Sequence, residues 1–402
     1  MSGRTPEEPV RRRLVLMMPG FERVPLEAQC RRFAREAAKT AASFGIGFEC
    51  SPAEISGDEC RTARFILRAR GRGWSTDTEV VIYELARINA LYEERPLVTR
   101  FTTGFMSLFE LLVTGAAFRY LCDGWRFYLF YLFPFLFLLG AATCLALLGL
   151  PFYLHDAAHL AWTLPALLAL VLILLFAGKR NLLPLTMDLW TLTTDSARGR
   201  RPELQAFLQA ITRDATARIA DTDAEEVIAV GHSYGVVPAV MALAQQPVRD
   251  LSARTPVGLI TAGSYLLAVA RHPAAKALRK AVAAVVGARM AWLDAQSHTD
   301  PVNFFRTNPA TALGVKEGRV PSIIEVRFRQ QLTPETYRKI RGDFFRTHRQ
   351  FVFGVEKRSA YALFAIIGGP ERFSDVAARP GLSPDWERYE NAPSPKGQDK
   401  AD

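Results

Sequence analysis

Residues 226–243 read E-V-I-A-V-G-H-S-Y-G-V-V-P-A-V-M-A-L. Glu226 to Val230 is short and apolar with β-branched residues, the pattern of a strand buried in a parallel sheet. Val236 to Gln245 has helical character. Between them stands Gly231-His232-Ser233-Tyr234-Gly235, a G-x-S-x-G element whose context is strand before and helix after. Such a turn forces the serine into a strained backbone conformation, with Oγ projecting at the sheet edge. Residues 231 and 235 must be small because strand and helix nearly touch there. The helix N-terminus adds a positive partial charge beneath the hydroxyl.

Working outward, Arg13 to Met18 is an apolar run ending in Pro19-Gly20, followed by a helical pattern from Pro25 to Phe44. Arg64 to Ala69 and Glu79 to Tyr83 are strand-like, bounded by Gly71, Gly73 and the polar run Ser75 to Thr78. Beyond the central element, Pro202 to Ile219 predicts an amphipathic helix. Val257 to Thr261, Met290 to Gln296 and Ile323 to Phe328 predict further strands. Strands alternating with helices imply an α/β fold with a mostly parallel sheet covered on both faces. From Glu371 onward proline and charge accumulate, so residues 376–402 are expected to form a loose tail.

The region between these halves is different. Phe127 to Leu154 contains no charged residue, ample for a hydrocarbon core that takes about 20 residues of helix. Ala157 to Gly178 carries only His159 as a titratable group. Two transmembrane helices, about 127–150 and 158–178, are therefore expected. Gly104 to Leu121 is apolar but carries Glu110 and Arg119, and reads as an interfacial helix. Strands before and after this insert are expected in one sheet, which requires an even number of crossings. Arg119 and Arg126 before the hairpin and Lys179 and Arg180 after it place both outer ends, the catalytic domain and both termini in the cytoplasm. The expected organisation is residues 1–103, an insertion over 104–183, and residues 184–375 completing the domain.

With 402 residues the chain accommodates one large domain with an insertion, and 49% apolar against 22% charged residues excludes a disordered protein. The formal charge of +10 suits a cytoplasmic membrane face better than a nucleic-acid surface. Arg64, Arg68, Arg70 and Arg72 alternate with apolar residues as on a solvated strand, without an aromatic-interleaved basic motif. Cys30, Cys50, Cys60, Cys122 and Cys144 are odd in number and lack C-x-x-C spacing, so no disulfide framework is expected. The stretch Met1 to Arg13 lacks the apolar core of a cleaved signal peptide. His155 and His159 stand four apart but have no third ligand in view, and no metal is expected. Phosphate-loop and dinucleotide motifs are absent, so no cofactor is expected either.

The G-x-S-x-G element in its strand and helix context resembles the α/β-hydrolase superfamily, the serine esterases, lipases and related acyl hydrolases. The resemblance runs from Arg13 to about Pro370, interrupted by the hairpin. It implies a serine, acid and histidine in that chain order, with an oxyanion hole partly from the turn after an early strand. Ser233 is then the nucleophile, and His348, in R-T-H-R-Q-F-V-F-G after the last strand, the general base. Asp300, in a loop beyond the strand Met290 to Gln296, is the first choice as the acid, with Asp294 as the alternative. Backbone N–H groups of Tyr234 and Phe21 are the oxyanion donors. The family's more familiar His-Gly start to that loop is replaced here by Pro19-Gly20, with Glu22 and Arg23 beside the entrance. The function implied is a membrane-anchored serine hydrolase cleaving an ester, thioester or lipid-like acyl substrate. Its partners would be the bilayer and that substrate. The alternative is a catalytically silent fold of the same type, serving as a membrane-tethered binding or scaffold protein.

Overall fold

A computed structural model describes residues 8–154, 162–178, 182–384, 386 and 389. Among them nine strands form one mixed, mostly parallel sheet: β1 (Arg12–Met18), β2 (Gly47–Cys50), β3 (Glu54–Ser56), β4 (Thr62–Gly71), β5 (Trp74–Tyr83), β6 (Glu226–His232), β7 (Val257–Ala262), β8 (Ala291–Gln296) and β9 (Ser322–Glu325). The order is β2-β4-β5-β1-β6-β7-β8-β9, with β3 on the edge beside β4. The run from β5 through β9 is parallel throughout, and the pairings among β2, β3, β4 and β5 are antiparallel. The chain is therefore an α/β protein.

Burial explains the two halves. Every residue of β6, β7 and β8 is buried, because helices cover both faces of the parallel region. In β1, Leu14, Leu16 and Met18 enter one apolar core while Val15 enters the other, the alternation a strand imposes. In β4 the arginines Arg64, Arg68 and Arg70 are exposed while Ala63, Phe65, Leu67 and Ala69 are buried. Arg64 Nε lies 2.6 Å from Glu79 across the ladder, which is the solvated face the alternation implies.

The polar run Ser75 to Thr78, expected as a boundary, is instead part of β5. Thr76 and Thr78 are fully buried, and their hydroxyls donate to the carbonyls of Val10 (2.7 Å) and Ile367 (3.0 Å). Threonine suits a strand once its hydroxyl is paired. The strand expected over Ile323 to Phe328 stops at Glu325, and Phe328 opens a one-turn helix. Sequence reading passed over β2 and β3, which are too short to show a period. Trp386 and Tyr389, inside the expected tail, are buried, Trp386 against Phe44 and Trp74, while residues 378–383 are exposed.

One buried ion pair joins β1 to β6. Arg13 Nε donates to Glu226 Oε2 at 2.8 Å, and its other donors reach the carbonyls of Ile367, Gly369 and Glu371, each at 2.8 Å. Glu226 Oε1 accepts from the Phe373 N–H at 2.7 Å. Arg13→Ala would leave the buried Glu226 carboxylate without its counter-charge and the carbonyls of Gly369 and Glu371 without this donor, and is expected to destabilise the fold by about 3–5 kcal/mol in denaturant titration.

Between β5 and β6 runs a series of helices, most of which share one apolar core with one face of the sheet. Helix α1 (Leu26–Phe44) precedes them. They are α2 (Ala86–Glu93), α3 (Leu97–Val113), α4 (Ala116–Asp123), α5 (Trp125–Leu154), α6 (Thr163–Gly178), α7 (Leu182–Arg198) and α8 (Pro202–Ala220). Helix α9 (Val236–Leu243) follows β6. The stretch expected as one interfacial helix, Gly104 to Leu121, is two helices bent by 75° at Gly115, whose φ of 76° needs a residue without a side chain. Gly104 brings α3 against Met187 of α7, and Arg100 binds the buried Asp188 of α7 through two nitrogens. By length and composition α5 is long and apolar enough to cross a membrane over Trp125–Gly149. The bent pair α3 and α4 passes the same test only as one span, and the apolar part of α6, Thr163–Leu172, is shorter. His155, His159, Lys179 and Arg180 lie outside the described residues.

Candidate active site

The turn at the end of β6 has the backbone that a serine there rarely adopts. His232 is extended (φ −106°, ψ 132°), Ser233 is left-handed (φ 54°), and the chain then enters a helical turn leading into α9. A left-handed non-glycine residue costs about 1–2 kcal/mol, so the surrounding packing must hold it. It does so by contact. A Cβ at Gly235 would stand 2.0 Å from the Met18 carbonyl oxygen, and one at Gly231 would stand 2.6 Å from the Val236 Cα. Both glycines are required by close approach of backbone, as the spacing implied.

Three elements converge on Ser233. Its own strand end supplies the hydroxyl. The turn after β1 brings Gly20 so near that a Cβ there would lie 2.7 Å from Ser233 Cβ. The short helix Phe344–Arg349 supplies His348. Ser233, His348, Gly20 and Phe21 all line one cavity of about 310 Å³. Glu22 and Arg23 line it as well. Glu22 is bound by Arg32 at 2.5 Å, and Arg23 pairs with Glu93.

His348 is positioned from two sides. Its Nδ1 lies 2.9 Å from Asp300 Oδ2, and the other carboxylate oxygen accepts from the Val302 N–H at 3.0 Å. A carboxylate only accepts, so Nδ1 carries the proton and Nε2 presents a lone pair. That Nε2 is buried and has no hydrogen-bond partner among the described residues. From the second side, His232 Nε2 donates to the His348 carbonyl oxygen at 3.1 Å, and the two rings stand 4.8 Å apart. Burial, and then the neighbouring His348, hold His232 well below the usual imidazole range. His232 therefore stays neutral and serves as a strut. Gly263, directly after β7 with φ 54°, leaves room for His348, since a Cβ there would meet the Phe351 ring at 2.8 Å and His348 Cε1 at 3.1 Å.

The two acid candidates separate. Asp300 is fully buried and touches His348. Asp294 lies in β8, where its carboxyl accepts from the Thr261 hydroxyl and, at 2.6 Å, from the Gln296 amide. Burial raises Asp294 to about 6.

The two oxyanion candidates differ as well. The Phe21 N–H has no acceptor among the described residues, and the turn there is fixed by Glu22 N–H donating to the Gly20 carbonyl at 2.9 Å. The Tyr234 ring turns away into the core, where its hydroxyl lies 2.6 Å from Ser196 Oγ, leaving only its backbone to serve the site.

The rest of the wall was not read from the sequence. Phe130 at the start of α5, together with Leu185, Thr186 and Leu189 of α7, lines the cavity opposite the sheet. Nothing in their local pattern marks them, because they reach the site only through packing of the insert. Gly263 carried a faint signal, a glycine directly after a buried strand. Chemically the arrangement joins a strained, partly accessible hydroxyl, an imidazole with its lone pair available, and a carboxylate that fixes its tautomer. No family model matches this chain, and neither does any curated protein or solved structure.

Proposed function

We propose that this chain is a membrane-anchored serine hydrolase of the α/β-hydrolase type, acting on an ester, thioester or lipid-like acyl bond. The observation that carries the reading is Ser233 at φ 54° facing the same cavity as a histidine whose Nδ1 is held by buried Asp300. In this reading His348 Nε2 takes the Ser233 proton as Oγ attacks the acyl carbonyl carbon. The N–H groups of Phe21 and Tyr234 stabilise the oxyanion. The leaving group departs with the proton from His348, and a water, deprotonated by the same nitrogen, releases the acid and restores Ser233. Asp300 stabilises the imidazolium throughout. The Ser233 to His348 hydrogen bond is not made in this structure, and such contacts commonly tighten when substrate binds.

Strands on both sides of the insert share one sheet, and that supports an even number of crossings, with α5 going out and the α6 region returning. Arg119 before α5 and Arg126 in its first turn, with Lys179 and Arg180 after α6 in the sequence, favour the cytoplasmic side for the sheet domain. A fluorophosphonate probe tests the enzyme reading against the silent scaffold. Labelling of the folded wild type with none of Ser233→Ala supports a hydrolase, and an unlabelled folded protein supports the scaffold.

A lipid-like substrate is favoured by a second cavity of about 610 Å³ adjoining the first, in the range roughly 300–1,000 Å³ that holds extended organic ligands. Phe130 and Phe344 line both cavities, with rings stacked at 5.4 Å, and Leu129 and Phe133 of α5 continue the wall. Filling that space with Leu129→Trp is expected to lower kcat/KM for a dodecanoyl ester roughly tenfold or more and to leave a butanoyl ester within about twofold. Equal losses on both esters would remove the second cavity from substrate binding.

A further inference from the structure

Away from Ser233, at the bend between α3 and α4, lies a cavity of about 300 Å³ with three arginines in its wall: Arg119, Arg271 and Arg279. One carboxylate answers them. Arg271 forms a two-pronged pair with Asp123, both contacts at 2.5 Å. Arg279 is held by neutral carbonyls, those of Ala270 at 2.8 Å and of His272 and Pro273 at 2.7 Å, which fix the guanidinium without cancelling its charge. Arg119 is exposed, and its side chain makes no hydrogen bond or ion pair among the described residues. Glu110, on the same helix as the bend, is already committed to Arg198, Arg200 and His272. Among the described residues, two guanidinium groups thus face the cavity without a carboxylate partner. Burial, and then the neighbouring Arg119, press Arg279 below its usual range.

The surroundings specify the anion's source. The bend that holds Arg119 also exposes Phe109, Val113, Phe118 and Leu121, and Trp125 stands exposed at the start of α5. An exposed tryptophan at the head of an apolar helix belongs at headgroup depth, and apolar side chains beside it belong just below. Arg119 is six residues before that tryptophan. A free anion would have no use for the apolar flank, whereas a phospholipid uses both parts.

We propose that the bend between α3 and α4 is a binding site for an anionic phospholipid, its phosphate on Arg119, Arg271 and Arg279 and its acyl chains against Val113 and Phe118. The site rests on the reading of α5 as a membrane span and is independent of the chemistry at Ser233. It would fix the depth and tilt of the sheet domain on the bilayer, since α3 is locked to α7 through Arg100 and Asp188.

The test uses the full chain purified in detergent and exchanged into micelles containing phosphatidylcholine and phosphatidylglycerol, with retained lipid counted by native mass spectrometry. Wild type is expected to retain phosphatidylglycerol in preference to phosphatidylcholine. Arg119→Ala should lower that retention about fivefold, the effect of one basic residue at a lipid surface. Arg72→Ala, which removes an exposed arginine from the turn between β4 and β5, should leave it unchanged. Equal retention by Arg119→Ala and Arg72→Ala would overturn the site. So would displacement of phosphatidylglycerol by inorganic phosphate at matching concentration, which would mark a free-anion pocket. Detergent phase partitioning separates the two layers of the argument. A chain that stays in the aqueous phase overturns the membrane reading and the lipid site together, whereas a chain that enters the detergent phase without lipid preference overturns the lipid site alone.

Discussion

Ser233→Ala is expected to lower turnover of an acyl ester by roughly three powers of ten or more, His348→Ala to lower it as much, and the double variant to fall no further. The non-additivity follows from the geometry. His348 Nε2 is buried and has no partner among the described residues, and on the proposed mechanism its task is the proton of Ser233. Removing either group idles the other. Two independent losses that multiplied would mean that the residues act separately, and the acyl-enzyme account would not survive. Ser233→Ala should melt near the wild type, whereas His348→Ala leaves the buried Asp300 Oδ2 without its imidazole and should melt lower, so activity is compared at a temperature where both variants are folded.

The second large effect separates two carboxylates that lie six residues apart. Asp300→Asn would present an amide N–H to His348 Nδ1 and reverse the tautomer, turning the Nε2 lone pair into an N–H. Turnover is expected to fall by roughly four powers of ten. Asp294→Asn keeps the fold of β8 and touches nothing in the cavity, so turnover should stay within about threefold. Its signature lies in stability. The folded-state pKa of Asp294, about 6, is above the unfolded value, so the native state binds the proton more tightly. That stabilisation is present below the unfolded pKa of about 4 and is lost as pH rises through 6. In Asp294→Asn the decline in melting temperature over this window should flatten. A large activity loss in Asp294→Asn with none in Asp300→Asn would reverse the assignment of the acid.

The amount of this that is legible in the sequence follows from how local each feature is. The turn at 231–235 is a contract between five consecutive residues, and its glycines meet the backbone contacts their spacing implies. The strands β1, β6, β7 and β8 are buried on both faces, so their composition announces them. Asp300 stands ahead of Asp294 in the sequence only through its place in a loop beyond the strand end, because what separates them is whether a side chain reaches a histidine 48 positions later. The polar run 75–78 misled because buried threonines are paired by carbonyls from Val10 and Ile367, which no local window contains. The bend at Gly115 was hidden by apolar composition continuous through it. The lining from α5 and α7 is tertiary in origin: those helices reach Ser233 only because the insert folds back across one face of the sheet.

The account stands or falls on a single covalent bond. Peptide mass spectrometry of the folded, membrane-reconstituted chain after fluorophosphonate treatment should find the phosphonyl group on Ser233 Oγ, forming quickly in the wild type and far more slowly in His348→Ala. An adduct on a different serine, retained when Ser233 is replaced by Ala, or an unmodified Ser233 in folded protein, would contradict it.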